Sequence, residues 1–158
     1  MDIEPVILID TREKEYSHIS TWLFENDISF AKKKLDAGDY TAGIVLENGK
    51  KKTFENEIIV ERKNSLDELS QNIGKHRERF EKELSFDAQL HLVIEDGSWK
   101  DVFDGNYRSN MNSQSFIGSL LSFLQRYNIH IHMVEKEEMG KWMYNLFYYY
   151  IREGKKEE

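Results

Sequence analysis

Asp10, Asp39, the run Glu61-Arg62-Lys63 and Asp67 stand out by residue type and spacing. Two or three carboxylates held within a few ångströms of one another repel, and they stay ionised only where a cation joins them. Oxygen ligands in a chain with no cysteine suit a hard ion such as Mg²⁺ or Mn²⁺. Such an ion polarises a phosphoryl oxygen and lowers the pKa of a bound water. A lysine beside carboxylates is stabilised in its protonated form. Lys63 is then a poor general base, and is better cast as orienting the attacking water or offsetting charge on a pentavalent phosphate. Acid, acid, lysine and metal together describe phosphodiester hydrolysis.

The elements that must position these groups follow from patterning. Val6-Ile7-Leu8-Ile9 reads as a buried strand that ends in Asp10. Ile19, Trp22 and Leu23 recur at helical spacing and predict a helix over 16–26. A strand is expected from Ser29 to Leu35, and another from Tyr40 to about Leu46, after the break at Gly38-Asp39. Asn48-Gly49 is a hairpin signal whose return strand is expected at Ile58 to Lys63. That strand begins apolar on both faces, which makes it central; side-chain alternation puts Glu61 and Lys63 on one face and Arg62 on the other. Ser65 and Glu68 form a capping box, and Leu66, Leu69, Ile73, Phe80 and Leu84 predict one long helix over 65–84. Strands are expected over His91 to Glu95 and Ile129 to Val134, and helices over Phe116 to Tyr127 and Met139 to Tyr150. Residues 97–114 read as a long loop with room for a short helical turn. The order β-α-β-β-β-α-β-α-β-α predicts an α/β fold, a central mixed sheet flanked by helices. It also places carboxylates repeatedly at the ends of buried strands, where ligands bind in such sheets.

At 158 residues, 39% apolar, the chain is read as one domain over 1–153 with a charged tail over 154–158. The formal charge of -7 excludes a uniformly basic nucleic-acid coat, so contact with nucleic acid must use a local patch. The segment Met1 to Pro5 has neither a basic nor a long apolar region, so no signal peptide is expected. No stretch approaches about 20 apolar residues, so no membrane partner is expected. A cytoplasmic location is expected, or a nuclear one in a eukaryote.

Gly38-Asp39-Tyr40 with Glu61-Arg62-Lys63 and, after three intervening residues, Asp67 resembles the signature of the XPF-type structure-specific DNA endonucleases, a branch of the restriction-endonuclease-like fold. Asp10-Thr11-Arg12-Glu13 resembles that family's first turn, and Arg79-Phe80 through Leu84 its arginine-bearing helix, with Glu83 where many relatives have Gln. The resemblance runs from about Val6 to Phe147. It implies that Asp39 and Glu61 are metal ligands, helped by the Arg62 carbonyl, with Asp10 a further ligand or supporting acid. It implies that Lys63 is the catalytic lysine and that Asp67 holds the metal water or Lys63. Arg62, Arg12, Glu13 and Arg79 would organise the site and the scissile phosphate. It also implies a possible homodimer through the C-terminal helices. Tandem helix-hairpin-helix modules, common in the family, are not expected within 158 residues.

The implied activity is metal-dependent endonucleolytic cleavage of branched or flap-type DNA, or of single/double-strand junctions, in repair or recombination. The competing function is a DNA-structure-binding module, or nuclease partner, that has lost catalysis. Several features have a plain structural role beside the functional one. Asp67 and Glu68 suit the first turn of any helix. Lys75-His76-Arg77, Arg79 and Lys82 could contact phosphates or pair with Glu78, Glu81 and Glu83 along a helix. Lys32-Lys33-Lys34 and Lys50-Lys51-Lys52 suit solvated edges or DNA contacts. His130 and His132 share a strand face, but no third metal ligand stands near them in sequence.

Overall fold

The computed structural model describes residues 3–156; Met1, Asp2 and the last two residues of the expected tail lie outside the described residues. Strand β1 (Val6–Ile9) is followed by helix α1 (Ser17–Glu25), then β2 (Phe30–Lys32), β3 (Tyr40–Val45), β4 (Lys51–Thr53) and β5 (Ile58–Lys63). Helices α2 (Leu66–Gly74) and α3 (Arg77–Leu84) lead to β6 (Gln89–Glu95), α4 (Trp99–Asp104), α5 (Ser113–Arg126), β7 (Ile129–Val134) and α6 (Met139–Lys156). The strands form one mixed sheet in the order β2-β1-β3-β5-β6-β7, with β4 paired to β3. β5, β6 and β7 run parallel, and β1 and β3 antiparallel.

Alternation along β5 divides the core. Ile58 and Val60 face α1 and α6, where Leu23, Met143 and Phe147 are buried. Ile59 faces α2, α3 and α5 with Leu69, Phe80 and Phe123. β5 is the central strand its two apolar faces predict.

The structure departs from the sequence expectations at three points. The Asn48-Gly49 turn forms, with Gly49 at φ +81, but it returns into β4, which pairs Thr53 with Gly43 and Lys51 with Val45. β5 starts only after a second turn at Phe54 to Glu57. Two lysines of the run 50–52, Lys51 and Lys52, therefore lie on an exposed edge strand, where charge opposes pairing with another chain. The helix expected over 65–84 breaks at Lys75-His76, after Gly74. Glycine is a weak helix former, and His76 sits outside helical geometry at φ -117. The short helical turn allowed for within the loop over 97–114 is α4, where Ser98 accepts a hydrogen bond from the Asp101 N–H as the cap and Gly105, left-handed, ends the turn. The last helix also continues through Gly154 to Lys156.

Candidate active site

The C-terminal ends of β1 and β5 and the start of β3 lie at one end of the sheet. Gly38 turns the chain there at φ +77, with Val60 and Ile59 so close that an added Cβ would stand 2.9 Å from the Ile59 Cβ. Asp39 is then fixed by its backbone: its N–H donates to the Val60 carbonyl at 2.8 Å, and its carbonyl accepts from the Asp10 N–H at 2.8 Å. Its Oδ2 accepts the Arg62 N–H at 2.8 Å. Two residues of β5, Glu61 and Lys63, point to the same face, with Lys63 Nζ 3.4 Å from Glu61 Oε1 and 5.1 Å from the centre of the Phe80 ring.

These groups line a cleft of about 380 Å³. Asp10, Arg12, Asp39, Glu61, Lys63 and Arg79, all singled out by sequence, converge on it. Burial, the Glu61 charge and the Glu13 charge push Asp39 well above the usual carboxylate range, against the Arg62 N–H and the Lys63 charge. Burial raises Glu61 to about 7, with Lys63 opposing and the Glu83 charge reinforcing the rise. Burial is thus the main reason both carboxyls resist ionisation, with the Glu61 charge adding to it at Asp39.

Asp10 is different. Its Oδ2 accepts from Arg12 Nε at 2.9 Å and the Arg12 N–H at 3.2 Å, and its Oδ1 from the Leu35 N–H at 2.9 Å. Burial would raise its pKa, but these bonds hold it below the usual value. It clamps Arg12 at the rim of the cleft, and Arg12 also donates to the Leu35 carbonyl. Among the described residues, no group of three His, Asp or Glu side chains is arranged to hold one ion.

Three of the expected site residues lie elsewhere. The Arg62 side chain crosses to the other sheet face, as strand alternation dictates. It donates to Glu13 Oε2 at 2.9 Å, to the Lys14 carbonyl at 2.8 Å and to Glu95 Oε1; His18 meets the other Glu95 oxygen. Glu13 belongs to this ion-pair network and does not line the cleft. Asp67 does not line it either: its Oδ1 accepts the Arg108 N–H at 2.6 Å and so holds the segment after α4. His76 and Glu83, named in the sequence only as a phosphate-contact candidate and a departure from the family pattern, also line the cleft, and so does Asn72, which no sequence signal marked. With Arg79 they recur at steps of four, three and four residues, a polar helical stripe beside the apolar one. The Asn72 Oδ1 is buried in it without a hydrogen-bond partner. His130 and His132 stack near His91 of the adjacent strand, with His91 Nδ1 2.9 Å from His132 Nε2. The third histidine comes from across the sheet, but among the described residues the trio forms no chelating group.

A search of curated proteins returns no match. Two solved structures share this fold: XPF from Aeropyrum pernix (TM-score 0.63, 19% identity, 90% of this chain covered) and XPF from Aeropyrum pernix in complex with DNA (TM-score 0.64, 18% identity, 94% of this chain covered). The chain spans 59% and 66% of their lengths. The fold is restriction-endonuclease-like. Residues 9–146, which carry every strand end of the cleft, match the profile of the ERCC4 domain, and the chain belongs to that family.

Proposed function

We propose that this chain is a divalent-metal-dependent DNA endonuclease acting at branched or flap-type DNA, in repair or recombination. ERCC4 domains are nucleases as a family, and one structural relative is described in complex with DNA. The observation that carries the reading is the Asp39–Glu61 pair, two carboxylates that line one cleft and feel each other's charge, with Lys63 beside Glu61.

The donor set fits a hard cation. Mg²⁺ keeps several waters and is bound through one or two carboxylates plus substrate phosphate. Two protein carboxylates suit that habit better than a closed protein cage, in keeping with the lack of a three-ligand group among the described residues. Asp39 and Glu61 would hold Mg²⁺ or Mn²⁺. When bound, the ion would offset charge on the phosphate and acidify water. Lys63, fixed between Glu61 and Phe80, would orient the attacking water and offset charge on the pentavalent phosphate. Arg12 and Arg79, both exposed at the rim, would seat the scissile phosphate. In-line attack leaves a 5′-phosphate and a 3′-hydroxyl. Asp10 would act through Arg12, Glu13 through Arg62, and Asp67 through the segment beginning at Arg108. A second copy of the chain would pair through α6, which leaves Tyr149 47% exposed; light scattering tests this.

The decisive experiment offers flap, fork, splayed-arm, junction and linear DNA with Mg²⁺ or Mn²⁺ at stated salt. Branched substrates should be cut. Asp39→Ala and Glu61→Ala should each lower the rate by at least about 100-fold while the cooperative melt is retained. Cleavage by either variant at the wild-type rate refutes the assignment. Asp67, expected in the site but held outside the cleft, favours one alternative, a non-catalytic binding module. DNA binding without cleavage in every metal would establish that reading instead.

A further inference from the structure

A second groove, of about 480 Å³, opens along α3 and is lined by Lys75, His76, Glu78, Arg79 and Lys82. It shares His76 and Arg79 with the active-site cleft. The two are thus contiguous, and the break between α2 and α3 at Lys75-His76 lies where they meet. Lys75, Arg79 and Lys82 are exposed and recur at steps of four and three residues.

The acids that could neutralise this stripe are largely engaged elsewhere. Glu81 accepts from Arg77, Arg126 and the Tyr127 hydroxyl. Glu83 faces the cleft and, among the described residues, its one ion pair is with Arg79, at 3.7 Å. Among the described residues, Lys75 and Lys82 enter no ion pair, while Lys33, Lys63 and Lys100 all do. Glu78 is the one acid in the groove, against three cations and a histidine. In a chain of formal charge -7, a cationic stripe with two unpaired lysines that begins at the rim of a cleft read as phosphodiester-cleaving is matched in charge to one polymer, the strand being cut.

We propose that this groove holds the sugar-phosphate backbone of the DNA strand as it leaves the cleft, with Lys75 and Lys82 as phosphate contacts. Such contacts fix register and orientation without reading sequence. The proposal rests on the endonuclease reading of the cleft and adds the path of the substrate beyond it.

The test compares the full chain with its Lys75→Ala/Lys82→Ala variant by fluorescence anisotropy on labelled flap and duplex DNA, with Ca²⁺ in place of Mg²⁺. Two lost phosphate contacts should lower the slope of log affinity against log salt by about 1.8 and, relative to 1 M salt, weaken binding roughly 60-fold near 0.1 M, on both DNA shapes. The melting temperature should not change, and Lys75→Arg/Lys82→Arg should restore affinity. An unchanged slope and affinity in the alanine variant overturns the proposal, as does a wild-type chain that binds no DNA. The two readings fail separately. A wild-type chain that cuts DNA while the variant binds normally removes the groove and keeps the nuclease. A slope that falls as expected in a chain that cuts nothing, with Mg²⁺ or Mn²⁺, keeps the groove and removes the nuclease.

Discussion

Asp39 and Glu61 are held where folding alone would not favour them. A carboxyl whose pKa is raised in the folded state binds its proton more tightly there than in the unfolded chain. The folded state then holds more protons, and stability falls as pH rises. For Glu61 the window runs from the ordinary 4.5 to about 7; Asp39 shifts in the same direction. Asp10, Glu55 and Glu81 are lowered and act oppositely, losing their contribution as pH falls. Asp39→Asn keeps an acceptor for the Arg62 N–H and removes the charge. It should raise the metal-free melting temperature at pH 8 by roughly 2–4 °C, the shift that about 1 kcal/mol gives a chain of this size, and by less at pH 5. Mg²⁺ should raise the wild-type melting temperature by linkage and leave the variant flat. A variant less stable than wild type at pH 8 would refute the stored repulsion. Arg62 is the converse. Arg62→Ala leaves Glu95, 2% exposed, without its guanidinium, and should lower unfolding stability by about 3–5 kcal/mol in a urea titration.

Strand ends were the most legible elements, because a charge that stops an apolar run has one place to go. Asp10, Glu61 and Lys63 reach the cleft from strands readable in the sequence, and so does Asp39 from the turn before β3. Asn48-Gly49 marks a real hairpin turn but not its return strand, since three lysines carry no apolar alternation to mark β4. The break in the α2–α3 segment was hidden by the seven-residue gap between Ile73 and Phe80, which a continuous helix also satisfies. Asp67 could not be placed, since only tertiary folding brings the Arg108 N–H to it. Gly38 tests whether the turn before β3 is what sets the site. Gly38→Ala meets both an unfavourable φ and the Ile59 Cβ at 2.9 Å. It should destabilise by about 1–3 kcal/mol and, by moving β3 from β5, displace the Asp39 carboxylate. Cleavage should then fall more than the loss of folded protein explains. Full activity at temperatures where the variant stays folded would show that the turn does not position Asp39.

A molecule with 29 acidic and 22 basic side chains repels DNA at long range. Attraction must be local, and the two carboxylates in the cleft oppose it at the point where the phosphate sits. A divalent cation held by the two would cancel their charge without moving a side chain. Metal and DNA should therefore bind with positive coupling, each raising the other's affinity by the same factor. Removing the two charges uncouples them. Asp39→Asn/Glu61→Gln, measured with EDTA at pH 8, should bind flap DNA a few-fold more tightly than the metal-free wild type, because the like-charge repulsion is gone. On adding Ca²⁺ the wild type should gain affinity and the variant should not, so the order of the two should narrow or invert. Equal affinity in EDTA would mean that the DNA phosphate never approaches these carboxylates, and the cleft would then be the wrong place to look for cleavage.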